Sequence, residues 1–229
     1  MNQTIDSYHF GSSLNLTQSQ LSVLASTFHP PEPAGVSVLG GRTAVTPVVL
    51  DGIGSVVVKH YRRGGLMRHF IKDRYLKIGK TRAQREFELL EKARNSGINV
   101  PQPIAYAHRG RLFYMAWLVT REIHQPLTLA GLSLQDEKKA GAAMESVMDQ
   151  ISALIQNGIL HVDLHPGNVL VDAAGKIYLL DFDKGRIYHG NRQTLKNRYL
   201  TRWQRAIRKH GLPEMLNEIL RSGLGNIRL

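Results

Sequence analysis

The chain of 229 residues contains no cysteine. This excludes disulfides, iron–sulfur ligation and thiol catalysis, and it fits a reducing compartment. Acidic residues are scarce: 18 Asp and Glu stand against 30 Lys and Arg, a formal charge of +12 at pH 7. Solubility needs far less, so the imbalance points to an anionic partner, whether nucleic acid, anionic lipid or a phosphorylated substrate. Long apolar runs are missing too. The longest, such as 112–120, are strand-sized and fall well short of a bilayer span. The opening segment, MNQTIDSYHF, lacks the basic and apolar regions of a secretory signal. These absences lead us to expect a cytoplasmic protein, soluble or bound to a membrane surface. Its length suits one large core or two small lobes.

The most informative stretch that is present runs HVDLHPGNVLVD from His161 to Asp172, with Asp181-Phe182-Asp183 following. An aspartate, an asparagine five residues on and a second aspartate beyond a short hairpin make the base and metal set of a phosphotransferase. Asp163 is the candidate base that accepts a hydroxyl proton. Asn168 and Asp181 are the candidate ligands for a magnesium ion that bridges the phosphates of ATP. Magnesium suits so small a set, because it keeps several waters and shares its remaining positions with phosphates.

Blander readings exist. Asp and Asn in loops usually make turns and caps. The series His161-x-Asp163-x-His165 also resembles a metal cluster. A zinc hydrolase, however, needs further ligands and an open position, and no second His-x-His or His-Glu pair occurs. Context favours the phosphotransferase. Leu154-Ile155 ends a long apolar helix and Asn157-Gly158 stops it. Val169–Val171 and Ile177–Leu180 then form a hairpin around Asp172-Ala173-Ala174-Gly175, and that hairpin delivers Asp181. The pattern predicts an α+β, two-lobed protein-kinase-like fold with a small β-rich N-lobe and a reduced helical C-lobe.

Three segments follow. Residues 1–37 read as a helical extension and linker: Thr17-x-x-Gln20 is a capping box, Leu21, Leu24, Ala25 and Phe28 share a face, and His29-Pro30-Pro31-Glu32-Pro33 ends the helix. Residues 38–120 read as the nucleotide-binding lobe. There Val45–Leu50 and Ser55–His60 flank an Asp51-Gly52 turn. Gly40-Gly41 is a place where phosphate could approach backbone, although glycine pairs are more often plain turns. Lys59 ends the run Val56–Val58, the position of a kinase's nucleotide-binding lysine. Glu86, on a helix capped by Thr81 and reaching about Asn95, is its candidate partner ahead of Glu88 and Glu91. Strands at 103–108 and 112–120 lead to backbone near 120–123 that would hold an adenine. Residues 121–229 read as the second lobe. Ser133-x-x-Asp136 looks like another capping box, and an apolar stripe runs from Ala140 to Ile155. A helix from about Asn191 to His210 sets Leu195, Tyr199, Trp203 and Ile207 inward, beside a basic stripe of Arg198, Arg202, Arg205 and Lys209.

From Lys59 to Arg85 there are ten Lys or Arg and one acid, Asp73. Such runs are usually solvated, but Arg62-Arg63-Gly64-Gly65 directly follows the strand lysine, which points to substrate or membrane contact. Only 48 residues follow Asp181, no A-P-E sequence occurs, and Val162 replaces the arginine that receives an activation-loop phosphate. Asp183 replaces the glycine of D-F-G. The expectation is a small-molecule or lipid-sugar kinase that needs no phosphorylation switch. His165 stands where protein kinases often have a lysine, and we expect it to position the transferring phosphate or the loop.

With Lys59-His60-Tyr61-Arg62-Arg63-Gly64-Gly65, Arg85-Glu86-Phe87, His161–Pro166, Asp181-Phe182-Asp183 and Leu200-Thr201-Arg202-Trp203-Gln204-Arg205, the chain resembles the 3-deoxy-D-manno-octulosonic acid (Kdo) kinase family over roughly 36–210. The resemblance implies transfer of the ATP γ-phosphate to the 4-hydroxyl of Kdo on a lipid A precursor, during lipopolysaccharide core assembly. It also implies a peripheral enzyme on the cytoplasmic face of the inner membrane, and we expect a monomer. A lipopolysaccharide core heptose kinase shares the same charge logic. An antibiotic phosphotransferase fits poorly, because a cationic surface repels cationic aminoglycosides. A nucleic-acid-binding module on a degenerate kinase fold is the reading from another class; intact Lys59, Asp163, Asn168 and Asp181 argue against it, and no nucleic acid is expected as partner.

Overall fold

The computed structural model describes residues 1–28, 45–61, 75–77 and 79–225. They fall into two compact units: Met1–Glu88 with Gln102–Glu122, and Leu89–Pro101 with Ile123–Leu229. Among the described residues the larger sheet lies in the first unit and most of the helix in the second, a mixed α and β protein.

The first unit is built on a seven-stranded antiparallel sheet. Its strands are β1 (Asn2–Ile5), β2 (Tyr8–Ser12), β3 (Val45–Leu50), β4 (Gly54–His60), β5 (Tyr75–Leu76), β6 (Pro103–Arg109) and β7 (Phe113–Arg121), in the order β1-β2-β6-β7-β4-β3, with β5 pairing β7. The β3–β4 hairpin forms where β-branched runs flank Asp51-Gly52, and Gly52 and Gly54 take φ of +69° and +94° there. Pro47 is tolerated because β3 lies at the sheet edge.

The first two strands are absent from the reading of residues 1–37 as a helical extension and linker. Their turn is Asp6-Ser7, with φ of +45° and +67°, so no Asn-Gly signal marks it. Behind the turn the capping box at Thr17 and Gln20 starts α1 (Gln18–Thr27) as expected. Leu21, Leu24, Ala25 and Phe28 bury themselves against the sheet. Aromatic rings concentrate in this core: Phe28 stacks on Trp117 at 4.7 Å, and His60 stacks on Trp117 at 5.0 Å. Helix α2 (Arg82–Asn95) starts where Thr81 Oγ1 accepts from the Gln84 amide.

The second unit is organised by α4 (Glu137–Gln156), whose Ala140, Met144, Val147, Ile151, Leu154 and Ile155 are buried as one stripe. Its start corrects the sequence reading. Ser133 is not a cap; it lies buried in α3 (Leu129–Gln135) and its hydroxyl donates to the Ala130 carbonyl, while Asp136 caps α4 through the Lys139 amide. The Ser133-x-x-Asp136 spacing of a capping box occurs here without its geometry, because packing buries the serine. Short strands β8 (Leu127–Thr128), β9 (Ile159–Leu160), β10 (Val169–Val171), β11 (Ile177–Leu179) and β12 (Arg186–Ile187) frame the aspartate loop. Helix α5 (Arg192–His210) starts at Asn191, and Leu195, Tyr199, Trp203 and Ile207 point inward as the spacing predicts. Helix α6 (Met215–Gly225) packs on α4 and α5, and the Trp203 indole donates to the Leu216 carbonyl at 3.2 Å. No helix among the described residues is long and apolar enough to cross a membrane.

Trp203 is 1 % exposed, so Trp203→Ala is expected to cost about 3–5 kcal/mol through the cavity it leaves. A urea titration measures this. A loss below about 1 kcal/mol would show that α5 is not anchored by this ring.

Candidate active site

Alternation along β4 decides which residue can meet α2. Val56, Val58 and His60 are buried on one face, which leaves Ser55, Val57 and Lys59 on the other. Lys59 Nζ lies 3.0 Å from both carboxylate oxygens of Glu86, the pairing expected from the sequence. Glu86 is only 3 % exposed because it shares the inner side of α2 with Ala83, Leu90 and Ala93. Glu88 instead pairs with Lys80 at the surface, and Glu91 is half-buried. The Tyr61 hydroxyl also donates to Glu86. Arg82 lies over the Tyr61 ring and donates to the Tyr75 hydroxyl at 2.6 Å. The result is an ammonium group held in one place by a buried carboxylate. Gly40, Gly41, Arg62 and Arg63 lie outside the described residues.

In the second unit the aspartate loop leaves β9 and is anchored at once. The His161 amide donates to the Tyr199 hydroxyl at 2.9 Å, and that hydroxyl donates to the Ile159 carbonyl at 2.6 Å. Burial pushes the Tyr199 phenol up and the His161 imidazole down. Neutral His161 then donates Nε2–H to the Leu180 carbonyl at 2.6 Å, with its ring edge against Phe182.

Beyond the loop a single 3₁₀ turn, Pro166–Asn168, leads into β10. Asn168 Nδ2 donates to the Asp163 main-chain carbonyl at 2.9 Å, and the Leu180 amide donates to the Asn168 carbonyl at 2.9 Å. Pairing of Val169 with Leu179 continues that register, so Asp181 follows directly on the residue bound to Asn168. Asp181 is exposed and has φ +63°, a left-handed conformation that aspartate tolerates better than most residues.

Commitment of Nδ2 to Asp163 leaves Asn168 its oxygen as the candidate ligand end, and the candidate carboxylate, Asp181, follows in sequence the residue bonded to Asn168. An oxygen-only set of one amide and one carboxylate fits magnesium. Among the described residues no three His, Asp or Glu side chains converge on a common point.

Asp163 is partly exposed, and one of its carboxylate oxygens accepts from Arg202 Nη2 of α5. Burial, and then the Arg202 guanidinium, lower the His165 imidazole to about 4. Its Nδ1 accepts from the Gly167 amide at 3.0 Å, a contact that shapes the loop and leaves the neutral ring's proton on Nε2. Sequence reasoning put Arg202 in a surface stripe and missed its contact with Asp163. Arg202 stands one turn beyond Tyr199, and only the placement of Tyr199 under the loop reveals that the next turn reaches Asp163. Tyr61, His161 and Tyr199 were missed for the same reason: their partners are main-chain or distant groups.

Lys59→Met is expected to remove a cation bonded to both oxygens of the buried Glu86 carboxylate. The cost should be on the order of 3 kcal/mol, at the low end because Lys59 is 17 % exposed. Adding Glu86→Leu should recover most of that loss in a denaturation measurement. Additive losses in the double variant would contradict a coupled pair.

Residues 39–220 match the lipopolysaccharide kinase (Kdo/WaaP) family. The chain is 34 % identical over 181 residues to the 3-deoxy-D-manno-octulosonic acid kinase of Vibrio parahaemolyticus, a match covering 77 % of this chain and 74 % of that protein. It is 38 % identical over 133 residues to the enzyme of the same name from Vibrio vulnificus, spanning 57 % of this chain but only 56 % of the relative. The enzyme of that name from Xylella fastidiosa is 31 % identical over 190 residues, 80 % of this chain and 68 % of the relative. The chain belongs to the lipopolysaccharide kinase (Kdo/WaaP) family.

Proposed function

We propose that this chain transfers the γ-phosphoryl group of ATP to the 4-hydroxyl of Kdo on a lipid A precursor. The observation that carries this reading is the aspartate loop, where the Asn168 amide holds the Asp163 carbonyl and the Leu180 amide holds Asn168. Relatives named as Kdo kinases support the choice of sugar.

In the proposed reaction the sugar oxygen attacks the γ-phosphorus as Asp163 takes its proton. The new oxygen–phosphorus bond forms while the bond to the β,γ-bridging oxygen breaks, and ADP departs with that electron pair. Lys59, oriented by Glu86, binds the phosphates, together with main-chain amides at Gly40 and Gly41. Asn168 and Asp181 would hold magnesium, which would neutralise charge on the phosphate oxygens. His165 keeps the loop in shape through Gly167. Arg62 and Arg63 meet the glycolipid or the membrane surface.

The two-lobed organisation belongs to the same proposal: residues 38–120 form the nucleotide-binding lobe and residues 121–229 carry the aspartate loop. The enzyme works as a peripheral monomer on the cytoplasmic face of the inner membrane. Basic side chains near anionic lipid, each worth about 1 kcal/mol, hold it there.

Incubation with labelled ATP, magnesium and either a Kdo-bearing or a heptosylated lipid A precursor tests the acceptor. Label on the 4-hydroxyl of Kdo is expected. Label found on heptose alone would replace Kdo kinase with heptose kinase. Asp163→Ala should lower the rate by about 10²–10⁴-fold with ATP binding retained, and a variant of near wild-type rate would refute the assignment of the base.

A further inference from the structure

Helix α5 carries seven Lys and Arg and no carboxylate. Its apolar side is fully used, because Leu195, Tyr199, Trp203 and Ile207 are buried. On the other side a groove of about 320 Å³ is lined by Thr194, Asn197, Arg198, Thr201, Arg202 and Arg205. This lining carries guanidinium groups, hydroxyls and an amide and contributes no acid of its own, while Asp163 pairs with Arg202. The groove also starts at the chemistry, since Arg202 is the residue whose guanidinium sits on Asp163.

We propose that this groove is the acceptor's anion subsite, where Arg198 and Arg205 bind a carboxylate or phosphate of the sugar lipid. The inference rests on the glycolipid-kinase reading above and adds the surface that recognises the acceptor. Arg198 and Arg205 are two helical turns apart, about 10 Å along the axis, which is the scale of one sugar and its substituent. Guanidinium forks match carboxylate and phosphate oxygens in pairs, where lysine offers only a point charge. Arg198 is held in advance by the Tyr188 ring, 5.4 Å from the guanidinium carbon. Arg202, tied to Asp163, links the bound anion to the base and so sets where the hydroxyl lies relative to it. Such an arrangement explains why Arg198, Arg202 and Arg205 share one helical face instead of being scattered, as a merely soluble surface allows.

Both Arg198 and Arg205 are exposed, so Arg198→Gln/Arg205→Gln can be made without emptying the core. Steady-state kinetics in neutral detergent micelles would compare three acceptors: the intact Kdo-lipid A precursor, the same lipid with the Kdo carboxyl reduced to an alcohol, and the lipid without its phosphates. The double variant is expected to raise the KM for the intact acceptor at least about tenfold, as the loss of charge-assisted hydrogen bonds implies. The KM for ATP should stay within about twofold on the same reasoning. For the acceptor that lacks the recognised anion, wild type and variant should share the same raised KM. That arm identifies carboxylate or phosphate as the group bound. Arg198→Lys/Arg205→Lys should recover only part of the loss. An unchanged KM, or an equal rise on all three acceptors as a diffuse field gives, overturns the subsite. Wild-type enzyme inactive on every acceptor overturns the Kdo reading itself, and the subsite with it.

Discussion

The Tyr199 hydroxyl supports the aspartate loop from below. It receives the His161 amide proton and gives its own to the Ile159 carbonyl, inside a region from which water is excluded. A loop at this depth needs such partners, since a buried polar group left unpaired costs about 1–3 kcal/mol. His161 extends the anchoring to the Leu180 carbonyl, and it does so as a neutral ring because burial disfavours its charged form. Asn168 completes the frame by holding the Asp163 carbonyl while its own carbonyl accepts from Leu180. Neutral hydrogen bonds thus fix the backbone, while Asp163 is partly exposed and Asp181 exposed.

Positive charge is placed in two distinct ways. Lys59 is clamped by a buried carboxylate, so its position is determined by packing and alternation along a strand. The arginines of α5 are placed by a buried aromatic face on their opposite side. The first arrangement suits a group that must stay in place on a nucleotide. The second presents several donors along a surface, which suits an extended acceptor with more than one anionic group. A net charge of +12 therefore has local structure, in a clamped lysine of the first unit and an arginine-bearing helix face of the second.

Much of this was legible in the sequence because the signals are local. The spacing from Asp163 to Asn168 to Asp181, the Asp51-Gly52 turn, the capping box at Thr17 and the inward face of α5 all depend on neighbours within one or two turns. Features set by distant partners were not. The N-terminal hairpin turns on Asp6-Ser7, which carries no glycine to mark its positive φ. Ser133 reads as a cap from its spacing to Asp136, and only tertiary packing, which buries the serine, leaves Asp136 to cap α4. Helix α6 was not anticipated. The contact between Arg202 and Asp163 joins residues 39 apart, and Tyr61 finds Glu86 across 25. Sequence periodicity gives the face on which such residues lie and is silent on the partner.

The central claim is that Asn168 and Asp181 together hold a divalent ion on a nucleotide's phosphates. Calorimetric titration with ATP, with and without magnesium, tests it in the intact protein and in Asp181→Asn. Magnesium should tighten ATP binding to the wild type, and the variant, folded by its circular dichroism, should lose that dependence. A variant whose ATP affinity still rises with magnesium as in the wild type would contradict the account.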